Sequence, residues 1–167
     1  MTPGLGFQQA GLVKCFLFRH GHAVDGGPFL LDEARFLTKK GRGAVRAVGR
    51  AMRKVGVVPD AILTSPLCRA VQTAELLAQE LDFHAVVEVV PWLIPSARAA
   101  RATEFLQKRE SNVLAVGHEP NLSMLAALLL GEPTVPSLRK AQVLCIEATQ
   151  MLWTMDPDRL VPQTAFP

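Results

Sequence analysis

Leu12-Val13-Lys14-Cys15-Phe16-Leu17-Phe18 runs without interruption into Arg19-His20-Gly21-His22. All but Lys14 of the first seven are apolar, the pattern of a strand buried on both faces of a parallel sheet. Ala61-Ile62-Leu63 is a second such run and Asn112-Val113-Leu114-Ala115-Val116 a third. Ala85 to Val90 and Gln142 to Ala148 are also strand-like, and Met151 to Met155 is expected to pair antiparallel with the latter across a tight turn. Helices with readable ends lie between them. Thr38 caps one through about Val55, stopped near Gly56 and Pro59. Ser65-Pro66 reads as a cap followed by proline at the first helical position, opening a helix to about Leu81. Ser96 to Arg109 is a third, and Pro120 to Leu130, closed by Gly131, a fourth. Alternation at this spacing predicts an α/β fold, a mainly parallel sheet with helices on both faces in three layers.

Composition narrows the classes. With 167 residues the chain is expected to be one domain. Residues 1–12 read as an irregular lead-in and residues 157–167, with three prolines, as an irregular tail. A chain 49% hydrophobic and 20% charged is neither disordered nor fibrous. The net charge of +3, from 18 basic against 15 acidic residues, is too mild to argue for nucleic acid or an anionic membrane. Aromatics at 6% make a stacking platform for single strands a poor reading too. The apolar run Leu125 to Leu130 is far short of the ~20 residues a spanning helix needs. Three widely spaced cysteines do not form a disulfide framework. Together these predict a cytoplasmic protein.

In open α/β sheets ligands bind beyond the carboxyl ends of the strands. The first strand delivers Arg19, His20 and His22 there; the second leads into Ser65-Pro66-Leu67-Cys68-Arg69; the Asn112–Val116 strand leads into Gly117-His118-Glu119. Arg69 falls one turn into its helix, where side chains lean back toward the N-terminus. Two guanidiniums can fork onto the oxygens of a phosphoryl group. A neutral imidazole can attack phosphorus, and a second can share the equatorial oxygens. Arginines that supply the charge leave no need for a metal or other cofactor.

Leu17-Phe18-Arg19-His20-Gly21-His22-Ala23 resembles the Arg-His-Gly signature of the histidine phosphatase (phosphoglycerate mutase-like) superfamily. Leu63 to Leu77 is similar to its second arginine motif, and Val113 to Gly131 to its second histidine motif. Arg35-Phe36-Leu37-Thr38-Lys39-Lys40-Gly41 matches a stretch typical of the compact branch, the SixA-type protein-phosphohistidine phosphatases. The resemblance covers roughly residues 13–155 and implies the phosphoglycerate mutase-like fold. It makes His20 the nucleophile that becomes phosphohistidine, with Arg19 and Arg69 on the phosphoryl oxygens and His118 completing the pocket. His22 and Arg35, inside the matched motifs, are expected at the substrate. The implied partner is a phosphorylated protein of the histidine-phosphotransfer type; a small phosphate ester (sugar or nucleotide) and a non-catalytic phosphate-binding module are the alternatives.

Two departures from the family stand out. His22 occupies a position where Ser, Glu or Asp is common. The donor glutamate of the family's mutases and sugar phosphatases has no counterpart in Pro91-Trp92-Leu93-Ile94-Pro95; only Glu88 lies just upstream. Glu119 is therefore read in two ways, as a replacement acid and as the cap of the helix opening at Pro120. His20 and His22 alone make a poor metal set, and no metal is expected. Cys68, beside Arg69 near a helix start, is oxidisable without being catalytic, while Cys15 and Cys145 read as buried filler. His84 reads as a surface residue. Arg42, Arg46, Arg50 and Arg53 form a stripe at helical spacing, read either as a solvated face or as a dock for an acidic phosphoprotein.

Overall fold

The computed structural model describes residues 13–166. Seven strands form one sheet: β1 (Lys14–Arg19), β2 (Ala61–Thr64), β3 (Glu88–Val89), β4 (Val113–Gly117), β5 (Val143–Glu147), β6 (Gln150–Asp156) and β7 (Arg159–Gln163). Their order is β3-β2-β4-β1-β5-β6-β7. The first four run parallel, and β5, β6 and β7 add three antiparallel pairings beyond β1. The expected α/β architecture is present: helices cover both faces and the parallel half carries the strand ends of interest.

Strand alternation separates the two cores. Phe16 and Phe18 point to one face, with Ile62, Leu114 and Val116, and pack against α1 (Lys39–Lys54) and α2 (Cys68–Glu80). Leu17 points to the other with Leu63 and Ala115, under α3 (Ala99–Gln107) and α4 (Asn121–Leu130). Burial on both faces is why β1, β2 and β4 read as unbroken apolar runs. Thr38 caps α1 by accepting from Gly41 N, and Gly131, at φ 70°, closes α4 in the left-handed region. No helix among the described residues is long and apolar enough to cross a membrane.

Several boundaries differ from expectation. The 85–90 strand shrinks to Glu88–Val89, because β2 offers only Leu63 and Thr64 to pair with at that sheet edge. The expected 96–109 helix is Ala99–Gln107, since Ser96 makes no cap and the chain enters through Arg98. The tail is not irregular: Asp156 Oδ1 accepts from Asp158 N and Arg159 N, closing a turn into β7. Pro162 fits there because an edge strand leaves one row of N–H positions unused. The lead-in, residues 1–12, lies outside the described residues. The arginine stripe stitches α1 to the end of α2: Arg46 reaches Glu80 at 2.8 Å, Arg50 the same carboxylate at 3.4 Å, and Arg53 reaches Asp82 at 3.7 Å. Arg42 donates to Leu37 O. Three of the four arginines thus share two carboxylates, so the stripe braces α1 against the end of α2 and keeps a net positive charge.

Candidate active site

Three strand ends converge as the sequence implied. The backbone ties them: His20 N donates to Gly117 O, and Ala141 N donates to Arg19 O and His20 O. Gly21 is needed at this crossing, because a Cβ there would stand 2.8 Å from Val45 Cγ2 and 3.0 Å from Gly41 O. Gly21 N donates to Thr73 Oγ1, whose hydroxyl in turn donates to Arg69 O, so the first and second motifs share one hydrogen-bonded joint.

His20 is buried and its ring lies 4.8 Å, centroid to centroid, from that of His118. His20 Nδ1 is 2.7 Å from Gly21 O. A carbonyl only accepts, so Nδ1 carries the proton and Nε2 holds a lone pair. Burial, with Arg69, Arg19 and Lys140 adding to it against the Gly21 carbonyl, pushes His20 down to about 4. The ring is therefore neutral at ordinary pH and nucleophilic at Nε2.

His118 is arranged the opposite way round. Its Nε2 is 2.8 Å from Ser65 Oγ, while Nδ1 is buried with no partner among the described residues. Ser65 Oγ accepts from Leu67 N at 3.3 Å, and among the described residues its own proton finds no acceptor but His118 Nε2, so we assign Ser65 as the donor there. That leaves the proton of His118 on Nδ1, an unpaired donor beside His20. Burial, with His20 and Arg69 adding to it, takes His118 down to about 3, so it donates as a neutral ring. Ser65 is thus a site residue, not the helix cap expected of it; α2 starts only at Cys68, with Leu67 as an extended N-cap. The sequence signal was available, since a serine directly past a buried strand end lies at the same edge as Arg69.

The arginines complete the cluster. Arg19 Nη1 donates to Leu138 O at 2.7 Å and its Nε is buried with no partner among the described residues. Burial lowers its pKa, and nearby Glu119 opposes that. Arg69, 5% exposed, donates Nη1 to Asp32 O and Nη2 to Asp32 Oδ2, at 2.7 and 3.0 Å. Asp32 went unnoticed in the sequence because it lies in a loop, on a short 3-10 turn (Asp32–Ala34), with no periodicity to mark it.

Other expected residues sit differently. Glu119 is not a cap: α4 begins after Pro120 with no side-chain capping bond, and the carboxylate instead accepts from Leu138 N at 2.8 Å and Ser123 Oγ at 2.6 Å. Arg35 is turned into its own loop, donating to Val24 O and to Asp32 Oδ1. His22 is exposed, with Nδ1 3.0 Å from Thr38 Oγ1. It lines a shallow cavity of about 350 Å³ with Lys40, Arg139, Lys140 and Asp158. Cys68 is half-buried, burial pushes the Cys15 and Cys145 thiols up to about 12, and His84 is on the surface beside Asp82. Among the described residues no group of three or more His, Cys, Asp or Glu side chains is placed to hold a metal.

Two buried neutral imidazoles, one offering a lone pair and the other an N–H, between two guanidiniums suit a tetrahedral anion. Known proteins agree. The family model for the histidine phosphatase superfamily, branch 1, matches residues 15–94. An uncharacterized protein of Picosynechococcus sp. is 35% identical over 126 residues, covering 72% of this chain and 75% of the relative. Phosphohistidine phosphatase SixA of Escherichia coli is 27% identical over 158 residues, 89% of this chain and 96% of that protein. A solved structure of the protein histidine phosphatase SixA complexed with tungstate superposes with a TM-score of 0.82 at 27% identity, covering 89% of this chain and 99% of that one. Sequence, sheet order and site therefore lead to one place: the chain belongs to the histidine phosphatase superfamily, branch 1, and is a phosphatase of it.

Proposed function

We propose that the protein removes a phosphoryl group from phosphohistidine on a partner protein, through a phosphohistidine intermediate of its own on His20 and without a metal ion. His20 Nε2 attacks phosphorus. Arg19 and Arg69 hold the equatorial oxygens, with Nδ1–H of His118 as a third donor. Water then attacks the phosphoenzyme and releases inorganic phosphate. The observation that carries this reading is the tautomer: the Gly21 carbonyl 2.7 Å from Nδ1 fixes the His20 lone pair on Nε2.

The substrate assignment is supported by an open, positively charged rim. Lys40 and Lys140, with Arg139 paired to Asp158, line the shallow cavity that His22 also borders, Lys140 acts electrostatically on His20, and Phe29 and Leu31 stand fully or mostly exposed on the loop that carries Asp32. Such a rim suits a side chain presented by an acidic protein surface better than a small free ester. Imidazole also leaves phosphorus more readily than an alkoxide, so chemistry there is fast even with modest acid help. The SixA relative, a phosphohistidine phosphatase by name, points the same way.

The test is a comparison of a phosphorylated histidine-phosphotransfer domain with sugar and nucleotide monophosphates, with EDTA present throughout. We expect the phosphoprotein to be preferred, an acid-labile phosphoryl label on the enzyme, and loss of both label and turnover in His20→Asn. Turnover retained in His20→Asn overturns the covalent step; preference for a free monophosphate overturns the substrate; loss of activity in EDTA revives a metal.

A further inference from the structure

Arg69 is a clamp residue of the phosphoryl pocket, yet both of its terminal nitrogens are engaged by one residue, Asp32, through its backbone carbonyl and Oδ2. Among the described residues Asp32 offers the only carboxylate in hydrogen-bond contact with His20, Arg19, Arg69 or His118. Glu119 has both carboxylate oxygens committed, to Leu138 N and Ser123 Oγ, and Glu88 lies at the sheet edge against Arg109. His20 is buried beneath the pocket, so an in-line leaving group departs toward the solvent side. The Asp32 side chain is 58% exposed while the Arg69 side chain it pairs with is 6% exposed, so Asp32 stands on the solvent side of that guanidinium.

We propose that Asp32 is the proton donor to the leaving group, which gives the enzyme a working activity on phosphate esters with poor leaving groups as well as on phosphohistidine. The inference rests on the covalent mechanism proposed above. Substrate oxygens take the Arg69 nitrogens, and Oδ2 exchanges a cationic partner for a neighbouring anion, which favours its protonated form. Oδ1 stays on Arg35, 2.9 Å away, and holds the carboxyl in place. The groups that face Asp32 are Arg35 in its own loop, Arg69 of α2 and His118 beyond β4; with no substrate bound, Arg35 first and then Arg69 hold its carboxyl below the usual carboxylate range, and it is the loss of Arg69 to substrate that reverses this. As the His20 Nε2–P bond forms, the bond from phosphorus to the leaving oxygen breaks, its electron pair stays on that oxygen, and the proton moves there from Asp32 Oδ2. In the second step water attacks phosphorus, its proton passes to the Asp32 carboxylate, and the P–N bond breaks with the pair returning to Nε2. Asp32 ends as it began.

The experiment compares Asp32→Asn with the parent on p-nitrophenyl phosphate and on glycerol 2-phosphate, and labels both proteins with phosphoramidate. Asparagine keeps an acceptor for Arg69 and the site's shape. We expect kcat/KM for the alkyl ester to fall ~10²–10⁴-fold, the worth of a positioned acid, with the aryl ester losing less than about tenfold. The alkaline limb of the parent's alkyl-ester profile disappears in the variant. Equal losses on both esters, no loss, or a parent without alkyl-ester turnover overturns the assignment. Acid-labile label formed equally in both proteins leaves the His20 mechanism standing when leaving-group dependence is absent. A parent that takes no label overturns that mechanism and this step with it.

Discussion

Ser65→Ala removes one oxygen, and its effect follows from two hydrogen bonds. The hydroxyl gives its proton to His118 Nε2 at 2.8 Å and accepts from Leu67 N at 3.3 Å. Without it His118 is free to place its proton on either nitrogen, and the Nδ1–H that faces the phosphoryl group is no longer enforced. A neutral hydrogen bond contributes about 0.5–1.5 kcal/mol net. At 1.36 kcal/mol per decade, kcat/KM should drop about 2- to 13-fold. Deleting the donor itself, in His118→Ala, should cost about 10²–10³, the usual worth of one oxyanion donor. The orphaned groups also cost about 1–3 kcal/mol of stability. Steady-state kinetics on an aryl phosphate gives the first number and urea unfolding the last. Nitrogen-15 NMR of the imidazoles reads the mechanism directly: His118 is an Nδ1–H ring in the parent and a mixture in the variant. Ser65→Thr, which keeps the hydroxyl, should restore the Nδ1–H signal. An unchanged tautomer together with kcat/KM within twofold of the parent would refute Ser65 as the positioning residue.

Glu119→Gln should slow aryl and alkyl esters by a similar modest factor, about tenfold or less, because Glu119 braces Leu138, whose carbonyl holds Arg19 Nη1, and both of its oxygens already accept structural hydrogen bonds. A loss confined to the alkyl ester would make Glu119 the acid instead of Asp32. Stability should fall on acidification between pH 6.5 and about 4. His20 binds its proton in the unfolded chain near 6.5 but in the native state only near 4, so stability present above 6.5 is lost as pH drops through that window. By pH 5 His20 alone accounts for about 2 kcal/mol. Urea midpoints at pH 7.5 and 5 measure it, and His20→Asn, which has no proton to exclude, should lessen the dependence and leave the part due to His118; an equal slope in both would contradict the burial argument.

Much was legible in the chain itself. Strands buried on both faces leave continuous apolar runs, so β1, β2 and β4 could be placed from composition alone, and a parallel sheet puts the residues that follow them on one edge. That is why Arg19, His20, Arg69 and His118 could be gathered without coordinates. Gly131 and Thr38 were readable for a similar reason, because a left-handed stop and a cap are local events in the backbone. What only the tertiary structure decided depends on partners distant in sequence. Ser65 looks like a cap until His118 arrives 53 residues later to take its proton. Glu119 looks like an acid or a cap until Leu138 N and Ser123 Oγ occupy it. Asp32 has no local pattern at all and acquires meaning only when α2 brings Arg69 against it from 37 residues away. Apolar periodicity records which face of an element is buried; hydrogen bonds between loops leave no periodic trace, and it is those bonds that orient the imidazoles and the carboxylate at this site.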